Sequence, residues 1–299
     1  MALLSRHGAR LPHSVIGALL MVAAWQIVPF MDTIAKHLSS SYPVPQIVWA
    51  RFFFHFAVVF PIVLWHHGAG AVRTDKAGLQ ILRGGFLLTA TLLFFTSISY
   101  IPLANAVALV FIAPVVLTAM SAFFLREKVP ATRWIAVSVG FFAVLIIVRP
   151  GFTSFHWASL LALCTAVAFS LYLLSTRMLA GTAPPLVTLM YQSLLGVIVM
   201  SAVLPFVWVT PAPMDWLLMV ALGAIASISH FLVIRAFEFA DASTLAPYNY
   251  TEIIMATVLG YVVFGDFPDP WTWVGMALII ATAVYISIPQ KSGNDNPPR

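Results

Sequence analysis

Charged side chains are scarce in this sequence of 299 residues: Asp, Glu, Lys and Arg make up 8% of it, against 61% hydrophobic residues. A soluble domain carries about 25% charged residues. That shortage, with apolar runs of about 20 residues recurring from end to end, excludes a water-soluble globular protein and predicts a polytopic membrane protein. Cysteine occurs once, at Cys164, so no intramolecular disulfide can form and helix packing must hold the fold. The patterns HExxH, G-x-S-x-G and the P-loop are missing, as is any close Cys/His spacing. Zinc chemistry and ATP hydrolysis therefore have no support, and no metal or cofactor is expected. His66 and His67 read as a solvated loop pair. The net charge of +5 comes from basic residues in short connections rather than from a basic aromatic stripe, which argues against nucleic acid as a partner. The basic start MALLSRHGAR looks like the head of a signal peptide. The apolar run that follows continues past Pro29 without a small-residue cleavage site, and reads as an uncleaved first helix.

What is present is a series of apolar runs punctuated by SYPVP, HHGAG, REKVPATR, RPGFTS, GTAPP, TPAP and GDFPDP. They predict ten membrane spans near residues 13–38, 45–65, 79–100, 103–125, 133–149, 156–178, 185–208, 215–238, 242–264 and 271–288. The tail 289–299 reads as disordered. On this path one side holds Arg6, Arg10, Arg73, Lys76, Arg83, Arg126, Lys128, Arg133, Arg177, Arg235, Lys291 and Arg299. The other side holds only Lys36 and Arg149, while Arg51 falls inside a span. Such a bias places both termini in the cytoplasm of a bacterial-type inner membrane.

The chain also repeats itself. An offset of 139 to 141 residues carries Lys36 onto Arg177, Pro43 onto Pro184, Arg51 onto Gln192, Gly84 onto Gly223, Glu127 onto Asp266 and Trp134 onto Trp273. Each half, residues 14–149 and 153–288, then holds five spans, and an odd number makes the second copy enter the membrane from the opposite side. Inverted repeats of this kind are a recurring plan for secondary transporters, in which two similar halves rock around one midplane site. The expected fold class is thus an all-α membrane protein of ten transmembrane helices in two inverted five-helix repeats.

Two half-ends, LREKVPATRWIAVSVGFFAVLIIV and VFGDFPDPWTWVGMALIIATAVYI, each set an acidic residue seven before a Trp and then a helix of small residues. With EFADASTLAPYNYTEII, they resemble the EamA-type repeat of the drug/metabolite transporter superfamily over roughly residues 14–288. The resemblance implies a central cavity lined by spans 1 to 4 and 6 to 9. It also implies that spans 5 and 10 pack behind it or at a homodimer contact. Half one departs from the pattern where Arg126 replaces the common Gly before the acid.

Ionisable groups inside a span are expensive and mark function by default. On span 1, Trp25, Pro29, Asp32 and Lys36 fall within about 60° on a helical wheel, and Pro29 can bend the helix around a site. Asp32 and Lys36 read either as part of a site or as a stabilising pair. Arg51 lies about 9 Å in from the outer start of span 2. It either pairs with Asp32 or presents its planar fork to an anionic group such as a carboxylate. His55, one turn deeper, can relay protons or bind substrate, or simply pack. Tyr248, Asn249 and Glu252 share a face of span 9. Glu252, near the bilayer centre, can take a coupling proton or a substrate amine, or pair statically with Arg51 or His230. Gln26, Asn105, Tyr191, Gln192, Ser227 and His230 are further cavity candidates or helix-to-helix glue. Gly84, Gly85 and Gly223 suit close helix approach. Trp65, Trp134, Trp157, Trp208, Trp216 and Trp271 suit interfacial belts, while Trp25, Trp49, Tyr248 and Tyr250 suit the cavity.

The leading expectation is a secondary carrier for a small amphipathic metabolite, an amino acid or derivative, with Arg51 on the acidic group and Glu252 on the amine or a proton. The alternative is a facilitator or exchanger for a flat vitamin- or nucleoside-like molecule, of which the resemblance suggests riboflavin or S-adenosylmethionine. A membrane enzyme or scaffold is the reading from another class. It is disfavoured because the ionisable candidates spread over helices at differing depths.

Overall fold

The computed structural model describes residues 12–68, 70, 74–126, 129–148, 156–265 and 270–287. The expectations resting on Arg6, Arg10, Arg73, Glu127, Lys128, Arg149, Asp266, Lys291, Arg299 and the tail lie outside these residues. Among the described residues every regular element is helical. Among these residues six helices are long and apolar enough to cross a membrane. They are α1 (His13–Leu38), α2 (Val44–His67), α3 (Ala77–Tyr100), α7 (Ala158–Leu179), α8 (Pro185–Val203, continued by a 3-10 turn at Leu204–Phe206) and α9 (Pro213–Phe239). Prolines open several of them, with Pro43 just before α2, Pro185 starting α8 and Pro213 starting α9. At a first helical turn the missing N–H is one that no carbonyl would have accepted. Gly68, at φ +68°, ends α2 in the left-handed region that glycine enters without a Cβ penalty.

Two expected spans are not continuous α-helices. The run 103–125 divides into α4 (Leu103–Val110) and α5 (Ala113–Phe124). Pro114 stands in the first turn of α5 and has no N–H to donate to the Val110 carbonyl, so an unbroken α-helix does not run through this point. The run 242–264 divides into α10 (Ala242–Leu245), a 3-10 stretch at Ala246–Thr251 and α11 (Glu252–Phe264). Here Pro247 removes the bond to Ser243. Tyr248 and Asn249 therefore belong to the 3-10 stretch while Glu252 opens α11, and the wheel that grouped all three on one α-helical face does not apply. The remaining helices are α6 (Ala131–Val148) and α12 (Pro270–Ser287).

Packing crosses between the halves. Helix α1 lies on α9 and α3 on α7, while α2 lies on α8 and α6 on α12. Exchanging the first half for the second maps this set onto itself, and it also carries the α2 with α9 contact onto that of α8 with α3. Glycine permits the closest crossings. A Cβ on Gly223 would stand 2.4 Å from the Cβ of Phe54 and 2.7 Å from the backbone nitrogen of His55. One on Gly84 would stand 3.4 Å from the Cα of Gln192.

One end of the bundle is stitched by polar side chains from the turn before α2 and from the first turn of α2 itself. Tyr42 donates its hydroxyl proton to Asp215 at 2.6 Å and accepts the Ala212 amide at 3.0 Å. Gln46 donates to the Val209 carbonyl at 2.7 Å and accepts the Val209 amide at 2.8 Å. The Asp215 carboxylate holds the Tyr42 phenol above its ordinary value, because losing the proton would lose the hydrogen bond. Beside this end Trp49 stacks on Phe53 at 4.7 Å and meets Trp208 edge-on at 6.0 Å. Trp49 thus belongs to a sealing aromatic cluster rather than to the cavity.

Candidate functional site

Helices α1, α2, α3, α4, α7, α9 and α11 line a partly open cavity whose empty space, its mouth included, is about 560 Å³. Its apolar wall includes Trp25, Met31, Phe94, Phe95 and Phe169, and its polar groups are Asp32, Arg51, Thr91, Thr165, His230 and Glu252. Trp25 meets the edge of Phe169 at 5.6 Å and 77°, so two aromatic faces are held at a fixed angle in one wall. Gln26, half-buried beside Trp25, donates to the Thr251 carbonyl at 2.7 Å and fastens α1 to the residue before Glu252.

Arg51 is 4% exposed. Its fork donates to the Thr91 hydroxyl from one nitrogen and to His230 Nε2, at 2.7 Å, from the other. The rings of Phe52 and Phe95 lie 5.3 and 5.7 Å from the guanidinium carbon. Neither expected ion pair forms: among the described residues the guanidinium bonds to Thr91 and His230, not to Asp32 or Glu252. The two carboxylates face the same cavity as the cation without neutralising it by contact. Lys36 turns away to the last carbonyls of α3, donating to Ile98 and Ile101 at 2.8 Å each, where a cation opposes the negative end of the helix dipole.

The arginine also fixes a chain of hydrogen bonds behind the cavity. Arginine only donates, so His230 Nε2 accepts and the ring proton resides on Nδ1, which donates to the Tyr172 hydroxyl at 2.9 Å. Tyr172 in turn donates to Gln192 Oε1 at 3.3 Å. His55 stacks on His230 with centroids 6.3 Å apart, and its Nε2 has no hydrogen-bond partner among the described residues. His55 and Gln192 thus support the cavity from behind its wall and do not line it.

Six other candidates stand off the cavity. Asn105 is exposed on α4, because the face of that helix turned inward carries Val107 and Val110. Tyr191 is half-buried and packs on the separate apolar cluster of Val59, Val187 and Ile234. Tyr248 and Asn249 are buried in the 3-10 stretch. Tyr250 is inserted under α6, its ring occupying the place of a side chain at Gly140 and its hydroxyl on the Val137 carbonyl at 3.2 Å. Ser227 bonds back to Gly223 within α9.

Sequence reasoning missed three contributors. Arg83, counted among the loop cations, is fully buried inside α3. Tyr172 is the hub of the hydrogen-bond chain, and Thr91 holds Arg51. A signal for Thr91 exists: the 139-residue offset that carries Gly84 onto Gly223 also carries Thr91 onto His230. The two groups gripping Arg51 thus occupy matching positions of the halves.

Long apolar helices around a buried, charged cavity define a multi-pass membrane protein with an internal site. A family model for the EamA-like transporter family matches twice, over residues 15–149 and 156–288. The chain belongs to the EamA-like transporter family. It is 27% identical over 260 residues to an S-adenosylmethionine uptake transporter of Rickettsia conorii, a span of 87% of this chain and 88% of that one. It is 26% identical over 286 residues to a riboflavin transporter of Vibrio cholerae, covering 92% and 94% of the two chains. A pseudopaline exporter of Pseudomonas aeruginosa is 25% identical over 280 residues, 92% of this chain and 97% of the exporter. One crystal structure shares the fold with a TM-score of 0.75 at 20% identity, covering 92% of this chain and 96% of that one. These names speak of transport and not of catalysis, and they lend the amino-acid reading no support.

Proposed function

We propose that the protein is a secondary transporter for a cationic, carboxylate-bearing molecule with a flat heteroaromatic base, of the S-adenosylmethionine type. The observation that carries this reading is one guanidinium and two carboxylates in a single aromatic-walled cavity. With both carboxylates ionised the cavity holds one net negative charge, complementary to a ligand bearing a sulfonium, an ammonium and a carboxylate. Arg51 takes the ligand carboxylate, Asp32 and Glu252 face its two positive centres, and Trp25 and Phe169 flank the base. The similarity to S-adenosylmethionine uptake transporters supports the same class. Riboflavin, uncharged, would use the aromatic wall and leave the three charges without a ligand partner.

The transport cycle we propose is alternating access by two inverted five-helix repeats. The exchange of packing partners between the halves supports it, with α4 and α5 forming one broken crossing and α10 to α11 another, ten crossings in all. The cytoplasmic placement of both termini in an inner membrane rests on the charge bias, which survives the removal of Arg83 from the loop count. Glu252 is the group we assign to coupling, since it stands in the cavity at the break between the 3-10 stretch and α11.

Calorimetric titration of the purified chain with S-adenosylmethionine, S-adenosylhomocysteine and riboflavin tests the substrate class. S-Adenosylhomocysteine lacks the sulfonium charge and should bind at least about tenfold more weakly, a difference of about 1.4 kcal/mol. Asp32→Asn and Glu252→Gln should erase that preference, and Arg51→Gln should weaken both adenosyl ligands. Equal binding of the two adenosyl ligands, or tighter binding of riboflavin that is indifferent to Arg51→Gln, would sink the charge argument.

A further inference from the structure

The polar chain that starts at Arg51 continues past the cavity to a second buried cation. Arg83 lies two turns nearer the start of α3 than Thr91, with no exposed surface. Its Nε donates to the Thr176 hydroxyl at 2.7 Å, one Nη to the Thr188 carbonyl at 3.1 Å, and the other Nη to the Tyr172 hydroxyl at 3.1 Å. The Tyr172 ring lies 4.7 Å from the guanidinium carbon. All these partners are neutral. In the same seam Gln80 Nε2 reaches the Thr188 hydroxyl at 3.0 Å, while Gln80 Oε1 and Gln192 Nε2 are buried and have no hydrogen-bond partner among the described residues. A permanent cation held at depth by neutral acceptors, beside two amides each satisfied at only one end, is a poor way to glue three helices. Groups of this kind inside spans mark pathways.

The matching seam of the other half is a control built into the fold. The 139-residue offset carries Arg83 onto Leu222, which is also fully buried, where α9 packs on α1 and α2. That seam closes with an apolar side chain at the corresponding place, so tight packing does not require the arginine. The polar groups of the α3, α7 and α8 seam therefore need another reason.

We propose that this seam is the closed half of the transport path, and that Arg83 is a second station for the anionic group of the substrate. When the seam parts, the anion passes from Arg51 past His230 and Tyr172 to Arg83, whose neutral partners it displaces more readily than it would a carboxylate. The anion's identity as a substrate carboxylate rests on the proposed function above, but the existence of the path does not.

The test uses the full chain in liposomes with Cys164→Ser, which removes the only native thiol, and Gln192→Cys, which puts one in the seam. Sulfonatoethyl and trimethylammonioethyl methanethiosulfonate, impermeant reagents of opposite charge, are applied from the side of the α3 start. The expected result is modification by both, with the anionic reagent favoured about tenfold relative to a small exposed thiol, a bias that corresponds to about 1.4 kcal/mol. Arg83→Gln should abolish the bias and Arg83→Lys should keep it. A thiol that neither reagent reaches overturns the path. A bias absent with Arg83 in place, or unchanged by Arg83→Gln, overturns the station, and the first of these decides even if Arg83→Gln does not fold. In the same vesicles Arg83→Gln should keep S-adenosylmethionine binding within about threefold and slow uptake about tenfold. Failure of the unsubstituted chain to bind S-adenosylmethionine would count against the proposed substrate, while the reagent bias would still decide the role of Arg83.

Discussion

Replacing Gly223 by alanine adds one methyl group at the tightest crossing of α2 and α9. That methyl would start 2.4 Å from Phe54 Cβ, 2.7 Å from the His55 backbone nitrogen and 2.8 Å from the Phe54 carbonyl carbon. None of these atoms is the tip of a flexible side chain, so the helices themselves must separate by about 1 Å to restore ordinary contact. Overpacking of this kind costs about 1–3 kcal/mol, and the gain in helix propensity from Gly to Ala offsets up to about 1 kcal/mol of it. With three contacts under 3.0 Å the upper part of that cost applies, and about 2–3 kcal/mol less up to about 1 kcal/mol leaves a net loss of about 1–3 kcal/mol, which by the scaling for chains of 150–250 residues is a fall of roughly 2–12 °C in unfolding temperature. Function should suffer as well, because α2 carries Arg51 and α9 carries His230, and the 2.7 Å bond between them spans the same gap. Gly260→Ala is the matched control: the same change on α11 meets nothing within 4 Å and should hold or raise the unfolding temperature. Intrinsic fluorescence unfolding in detergent reads both. Equal unfolding temperatures for the two variants, or a Gly223→Ala protein as stable as the parent, would refute the crossing argument.

Three further outcomes are expected. Arg51→Lys keeps the charge but cannot hold Thr91 and His230 with one planar fork, so adenosyl-ligand affinity in calorimetry should fall about tenfold or more; parent-like affinity would show that charge alone suffices. Tyr172→Phe removes the hydroxyl shared by His230, Gln192 and Arg83, and loss of one such buried partner costs about 1–3 kcal/mol; an unchanged unfolding temperature would show that the chain contributes no stability. Tyr42→Phe should lower the unfolding temperature at neutral pH. The phenol is raised above its ordinary 10.0, so the Tyr42 contribution is full below that value and disappears as pH climbs through the raised one. A difference between parent and variant that already fades between pH 6 and 9 would contradict the Asp215 bond.

Helix positions were legible because hydrocarbon length and proline punctuation are local properties, and the six long apolar helices fall where those signals put them. The breaks at Pro114 and Pro247 were less legible. A proline inside an apolar run either stays within a continuous helix, as Pro29 does within α1, or interrupts it, and the surrounding packing decides which. For the site, Trp25, Asp32, Arg51, His230 and Glu252 were singled out by rarity, since a charge or an indole in hydrocarbon stands out, and the cavity gathers these five. Asn105 and Tyr191 show where rarity misleads: a polar atom at a helix start or on a half-buried face needs no cavity. Arg83 was hidden by counting. Six residues into a helix, it reads equally as a snorkelling loop cation, and only the facing Thr176, Tyr172 and Thr188, distant in sequence, draw it inward.

The grip on Arg51 by Thr91 and His230 also bears on how the halves can be exchanged. Because the two holding residues sit at matching positions, the guanidinium is gripped by one residue from each half, and the residue that matches it in the second half is the neutral Gln192. A chain assembled from two first halves would bring two guanidinium groups and two threonines to that spot. One assembled from two second halves would bring two glutamines and two histidines and no cation at all. Neither homodimer of halves could reproduce this site, so the present charge pattern requires two repeats that have drifted apart in sequence and are joined in one chain.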